Sequence, residues 1–150
     1  MRRFLVKFEE FPIDRVSVKS GHNSPEVITA CRCVNVGLFV SGDLRRDVTV
    51  SFVIGTEEDQ KAMSFPGGSL RRVSPDERSI SFFLLKAFER VQDLNPGESF
   101  TMNNGIELIH APLDELLELW ESDIIHVPSS NPERFILDTN LSVDRLENNP

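Results

Sequence analysis

Val48-Thr49-Val50-Ser51-Phe52-Val53-Ile54 is the segment that most narrows what this chain can fold into. Apolar residues at 48, 50, 52 and 54 alternate as a strand requires, and Val53 adds one on the opposite side. That extra residue predicts burial on both faces, as in a sheet covered by helices. Strands and helices alternate around it. Phe4, Val6 and Phe8 mark a first strand over Arg3–Phe8. Pro12 to Asn23 reads as loop. Ser24-Pro25-Glu26 is an N-cap with proline at the first helical position, and Val27, Cys31, Val34 and Leu38 continue it as an apolar stripe. Ser41-Gly42 ends that helix. Lys61 to Phe65 is a short strand, and Pro66-Gly67-Gly68 a turn. Ser74, Pro75 and Glu77 form a capping box that opens a helix running to about Asp93. Its buried face is Ile80, Leu84, Ala87, Phe88 and Val91. Gly105–Ile109 is a strand, and Pro112 opens a short helix carrying Leu113, Leu116, Leu117 and Trp120. Asp123–Val127 and Arg134–Leu137 are two more strands, followed by a polar tail with at most one helical turn near Val143. The pattern predicts an α/β fold: one domain over residues 1–150, a mostly parallel sheet and helices on both faces. In such sheets ligands sit beyond the carboxyl ends of strands, here the loops after Ile54, Ile109, Val127 and Leu137.

Charge and composition remove several classes. The net charge is −8, which argues against a general nucleic-acid binder. It is uneven: 14 basic against 13 acidic residues up to position 97, and 2 against 11 after it. Any nucleic-acid contact is therefore expected on the first two-thirds. No apolar run approaches membrane-spanning length, and Met1-Arg2-Arg3 leads straight into a strand, so an intracellular, cytoplasmic protein is expected. Cys31 and Cys33 are too few for a disulfide framework or a zinc site and are expected in the core. His22, His110 and His126 are dispersed; each is expected at the surface or an edge, with no metal, and His126 at a strand end merits most notice. Nucleotide-binding glycine loops, metalloprotease motifs and the nucleophile elbow are all absent.

Two arginine-bearing stretches remain. Asp43-Leu44-Arg45-Arg46-Asp47-Val48 joins the first long helix to the clearest strand. Its charges can pair with one another, or one arginine can be left to grip a phosphate or a base edge. Ser69-Leu70-Arg71-Arg72-Val73-Ser74-Pro75-Asp76-Glu77-Arg78 places three arginines around a helix N-terminus, which is a credible anion site or simply a solvated, well-capped helix.

Three motifs now stand in order: Ala30-Cys31-Arg32-Cys33-Val34, Ser41-Gly42-Asp43-Leu44-Arg45-Arg46-Asp47-Val48, and Gly68-Ser69-Leu70-Arg71-Arg72-Val73-Ser74-Pro75-Asp76-Glu77-Arg78. Together they resemble the TrmY family, the archaeal tRNA (pseudouridine-54-N1)-methyltransferases of the SPOUT superfamily. The resemblance covers roughly Arg2 to Leu141 and is strongest from Ala30 to Ala87. It implies a SPOUT-like fold with a C-terminal trefoil knot, S-adenosylmethionine (SAM) as methyl donor, a homodimer, and methyl transfer to N1 of a T-loop pseudouridine in tRNA. By position it implies cofactor contacts at Ile125 and Asp138. Placing chemistry on that frame puts catalytic roles on Arg45 and Asp47 near the target base, and RNA contacts on Arg46, Arg71, Arg72 and Arg78. Two departures stand out. Asp138 occupies a position where the family usually has glycine. The chain also stops at Asn148-Asn149-Pro150, before the knot-threading segment, so a C-terminally truncated domain is expected. The competing expectation is a catalytically inactive RNA-binding or interaction module that lacks the cofactor knot.

Overall fold

The computed structural model describes residues 2–41, 43–120 and 123–127. In chain order the elements are β1 (Arg2–Phe8), α1 (Arg15–Ser20), α2 (Pro25–Leu38), β2 (Phe39–Val40), β3 (Asp43–Leu44), β4 (Val48–Ile54), β5 (Lys61–Pro66), α3 (Glu77–Val91), β6 (Ser99–Thr101), β7 (Glu107–Ile109), α4 (Leu113–Leu119) and β8 (Asp123–Val127). Six strands form one sheet in the order β6-β7-β5-β4-β1-β8. β1 runs parallel to both β4 and β8, while β5 is antiparallel to β4 and β7, and β6 is antiparallel to β7. β1, β4, β7 and β8 therefore share one direction and β5 and β6 oppose it. The β4–β5 reversal follows from a link of only Gly55 to Gln60, too short for the crossover that a parallel neighbour needs. The expected strand Arg134–Leu137, the turn near Val143, Asp138 and the knot lie outside the described residues.

β4 is buried at every position, as its sequence predicted. Phe4, Val6, Val50, Phe52, Phe65 and Ile125 face α2 and α3 in the main core. Each such side chain contributes about 1.5–3 kcal/mol by leaving water. Leu5, Val53 and Ala62 point the other way, against Leu116 of α4. Helices thus cover both faces. The α4 face also buries a charge: Arg3 Nη1 donates to Ser51 Oγ at 2.7 Å and Ser64 Oγ at 3.1 Å, and its guanidinium lies 4.2 Å from the Trp120 ring. Burial lowers the Arg3 pKa, and the Glu107 carboxylate partly opposes that.

Three local expectations change. The loop from Pro12 to Asn23 contains α1, capped by Asp14, whose Oδ1 accepts from Ser17 N at 2.8 Å, and closed by Gly21 at φ 78°. Six residues with two β-branched valines carry too little periodicity to announce it. Second, α2 gives way at Phe39 to a small antiparallel pair, β2 with β3. Third, α3 starts later than Ser74. Asp76 is the N-cap, accepting from Ser79 N at 2.8 Å, while Ser79 Oγ accepts from Ser74 N at 2.9 Å. Asp76 thus caps the helix, and the Ser79 hydroxyl takes up the Ser74 N–H two residues before the cap.

Candidate functional site

The second and third motifs meet at the edge of the sheet where β4 begins and β5 ends. Backbone, not side chains, joins them. Arg2 N donates to Asp47 O at 3.0 Å, Gly67 N to Val48 O at 2.8 Å, and Arg71 N to Asn104 O at 2.8 Å. Gly67 is a close-approach position: a Cβ there would sit 2.0 Å from Arg45 O and 2.9 Å from Val48 O. Gly105, at φ +96°, does the same on the other side, with a Cβ 2.6 Å from Ser69 O. Residues 45–48, 66–71 and 102–106 thereby form a single knuckle. Asn104 and Gly105 are its missed components; the sequence reads Gly105 as the start of a strand, whereas it lies before β7 at a positive φ.

That backbone arrangement leaves the cations uncommitted. Among the described residues none of Arg45, Arg46, Arg71, Arg72 and Arg78 forms an ion pair. Arg45 is half-buried and its Nε is buried without a partner. Arg46 reaches Gly68 O through Nη1 only at 3.5 Å. Asp47, Arg46, Arg71 and Arg72 are exposed. Arg72 sits at φ 68°, a left-handed conformation that costs a non-glycine residue about 1–3 kcal/mol. Between the two readings of the Asp43–Val48 charges, the structure favours free arginines over a mutual cluster. Arg78 is not part of this knuckle. It lies on α3 and lines a groove against α1. The first motif lies in α2 and is packing: Cys31 and Cys33 are buried, and burial pushes both thiols up to about 12, which makes them inert at neutral pH.

The opposite edge of the sheet, at the carboxyl ends of β1 and β4, holds a cleft of about 540 Å³ lined by Lys7, Phe8, Glu9, Thr56, Glu57 and Glu58. Its carboxylates and hydroxyl suit the ammonium, sulfonium and ribose of a SAM-type donor. Among the described residues Phe8 is the one aromatic residue lining it and is only 5% exposed, which offers little apolar surface to an adenine. Ile125 is fully buried mid-strand, opposite Phe4, so its side chain belongs to the core and not to this cleft. The described residues therefore do not fit the whole cofactor. His126, the histidine singled out in sequence, is half-buried beside Ile125, and burial together with Lys7 lowers its pKa, so it is neutral at pH 7. His110 is structural: its Nε2 meets Asp59 Oδ1 at 2.7 Å and its Nδ1 meets Leu94 O at 2.9 Å. No group of three or more potential metal ligands occurs among the described residues, and no helix there is long and apolar enough to cross a membrane.

Comparison with known proteins gives the family. Residues 1–127 match a family described as "Putative SAM-dependent RNA methyltransferase". A protein named tRNA (pseudouridine(54)-N(1))-methyltransferase from Haloferax volcanii is 33% identical over 130 residues, covering 82% of this chain and 62% of the relative. One of the same name from Natronomonas pharaonis is 29% identical over 161 residues, covering 98% of this chain and 80% of its own length. Another from Methanococcus maripaludis is 51% identical over 61 residues, 40% of this chain and 31% of the relative. The chain thus spans less than two thirds of the length of the first and third of these. With a family match over residues 1–127 that contains all three motifs, this chain belongs to the SAM-dependent RNA methyltransferase family.

Proposed function

We propose that this chain is the RNA-recognition part of a tRNA methyltransferase that transfers a methyl group to N1 of a T-loop pseudouridine in the cytoplasm. The observation that carries the reading is the knuckle. Three segments are locked together by backbone contacts, and among the described residues Arg45, Arg46, Arg71 and Arg72 have no anionic partner. Guanidinium groups held this way match phosphate and base-edge acceptors. The names of the relatives point to the same substrate.

In this reading Arg46, Arg71 and Arg72 hold RNA phosphates and Arg45 holds the target ring. Asp47 accepts or orients the N1 proton, as a carboxylate within hydrogen-bond reach can. Positioning supplies most of the rate: aligned reactants can lower a barrier by about 7–11 kcal/mol. SAM, which the family description implies, supplies the methyl group when bound. The same reading takes the working form to be a homodimer. The knuckle and the carboxyl-edge cleft lie at opposite ends of β4, about 20 Å apart for a seven-residue strand.

The test is methylation of a pseudouridine-containing T-arm substrate, with calorimetry against SAM. Heat of SAM binding and activity lost in Asp47→Asn support the proposal. Unchanged methylation by Asp47→Asn removes Asp47 from the mechanism. RNA binding without any SAM heat would leave the inactive RNA-binding module in its place.

A further inference from the structure

Arg78 separates from Arg71 and Arg72 and faces a groove of about 610 Å³ between α1 and α3. The floor is apolar, and its dominant feature is Phe82, 45% exposed. Phe83 packs edge-on against Phe82 at 5.2 Å between centroids, which fixes the ring, and Lys86 Nζ lies 5.5 Å from its centre. The rim is cationic on both walls: Lys19 from α1, Arg78 and Lys86 from α3, with Asp76 the one carboxylate lining it. Arg15 also lines the groove but is held by Glu89 at 2.9 Å. On a chain of net charge −8, such a local excess of free cations is set against the overall balance.

We propose that this α1–α3 groove is a second RNA-contact surface that seats unpaired nucleotides, with Phe82 as a stacking platform and Lys19, Arg78 and Lys86 on the flanking phosphates. The inference rests on the RNA-recognition reading above and extends it to a surface outside the knuckle. A half-exposed aromatic ring with ammonium and guanidinium groups beside it is the chemistry that single-stranded RNA uses: every base has a π-face, and every linkage an anion. Three cations on two walls around one exposed ring complement the alternating anion and π-face of a nucleotide chain.

The test is fluorescence anisotropy with labelled tRNA and with a blunt RNA duplex, over a range of salt concentrations. Lys19→Ala combined with Lys86→Ala is expected to reduce the log–log salt slope for tRNA by about 1.4, two charges at about 0.7 each. Phe82→Ala is expected to weaken tRNA binding about tenfold without changing the slope, and to leave duplex binding unchanged. Phe82→Leu, which keeps an apolar cover, should weaken binding in the same direction; melting curves verify that each variant is folded. If tRNA binding responds to Arg71→Ala and Arg72→Ala but to none of the groove variants, the groove inference falls and the recognition reading stands. If the unsubstituted protein binds no RNA at low salt, both fall. If groove variants abolish binding of a Glu-rich amphipathic peptide and leave RNA affinity unmoved, the groove serves a protein partner and the inference is overturned.

Discussion

The two ends of β4 are both charged, yet polar side chains take a larger share in holding the loops at one than at the other. At the amino edge of β4 the backbone does the holding: Gly67 and Gly105 let main chains approach closely, and N–H to carbonyl bonds tie residues 45–48, 66–71 and 102–106. At the carboxyl edge backbone contributes too, with Gly55 N donating to Phe8 O at 2.9 Å and a Cβ on Gly55 only 2.1 Å from Asp59 O, but polar side chains are added to it. Asp59 accepts from Lys61 Nζ at 3.1 Å and meets His110 Nε2 at 2.7 Å, and Gln60 Oε1 accepts from Leu113 N at 2.8 Å. A polar side chain spent on its own loop is unavailable to a ligand. A loop closed by backbone leaves its arginines free. That difference is what the proposed RNA site at the amino edge rests on.

The strongest way to break the comparison is to give the knuckle a side chain it cannot hold. Gly67→Ala puts a Cβ 2.0 Å from Arg45 O, where backbone must move. Overpacking of this kind costs about 1–3 kcal/mol. At the upper end the melting temperature drops by roughly 6–12 °C, and RNA affinity falls with it because Arg45 and Arg46 shift. Gly68→Ala meets only Arg46 O, at 3.0 Å, and is expected to do measurably less in the same melt and binding assay.

At the other edge stability and RNA binding should separate. His110→Ala removes the contacts to Asp59 and to Leu94 O from a side chain that is only 13% exposed. At about 1 kcal/mol per bond the expected loss is about 2 kcal/mol, with tRNA affinity unchanged. A parallel fall in affinity would erase the distinction between the edges. The acid limb gives a second reading. Asp59 is held below its ordinary value of 3.8 by Lys61 first and by His110 second. A depressed carboxyl contributes stability above that ordinary value and loses it as pH falls through the lowered one. Denaturant melts below pH 4 should therefore show a shallower acid dependence in Asp59→Asn than in the unsubstituted protein.

The sequence announced the parts of this molecule that depend on periodicity and local order. The double-sided burial of β4, the α2 stripe, and the helices on both faces were all readable from residue spacing. So were the motifs, because they are contiguous. What was hidden was relational. Nothing local says that Gly67 packs on Arg45, or that Asn104 receives the Arg71 N–H, since these contacts cross elements far apart in sequence. The grouping of Arg78 with Arg71 and Arg72 failed for the same reason: adjacency along the chain was read as adjacency in space, while the Asp76 cap and the left-handed Arg72 turn the chain between them. Ile125 illustrates the limit of positional matching, which supplies a place in the alignment and not the side on which a side chain lies.

The smallest expected effect isolates strain within the free edge. Arg72 holds φ 68°, while its neighbour Arg71 is anchored through its N–H to Asn104 O. Glycine occupies that region without steric cost, so Arg72→Gly relieves strain of about 1 kcal/mol or more. Glycine also leaves the unfolded chain freer, which removes roughly 0.5–1 kcal/mol of that gain. The expected net change is a stabilisation of about 0.5 kcal/mol in chemical denaturation, together with weaker tRNA binding and a salt slope reduced by about one charge. Stability gained while RNA affinity is lost would mean that the strain persists because the guanidinium at that position is used. Stability gained with affinity intact would make Arg72 a local accident of the turn, and would leave Arg45, Arg46 and Arg71 to carry the amino edge.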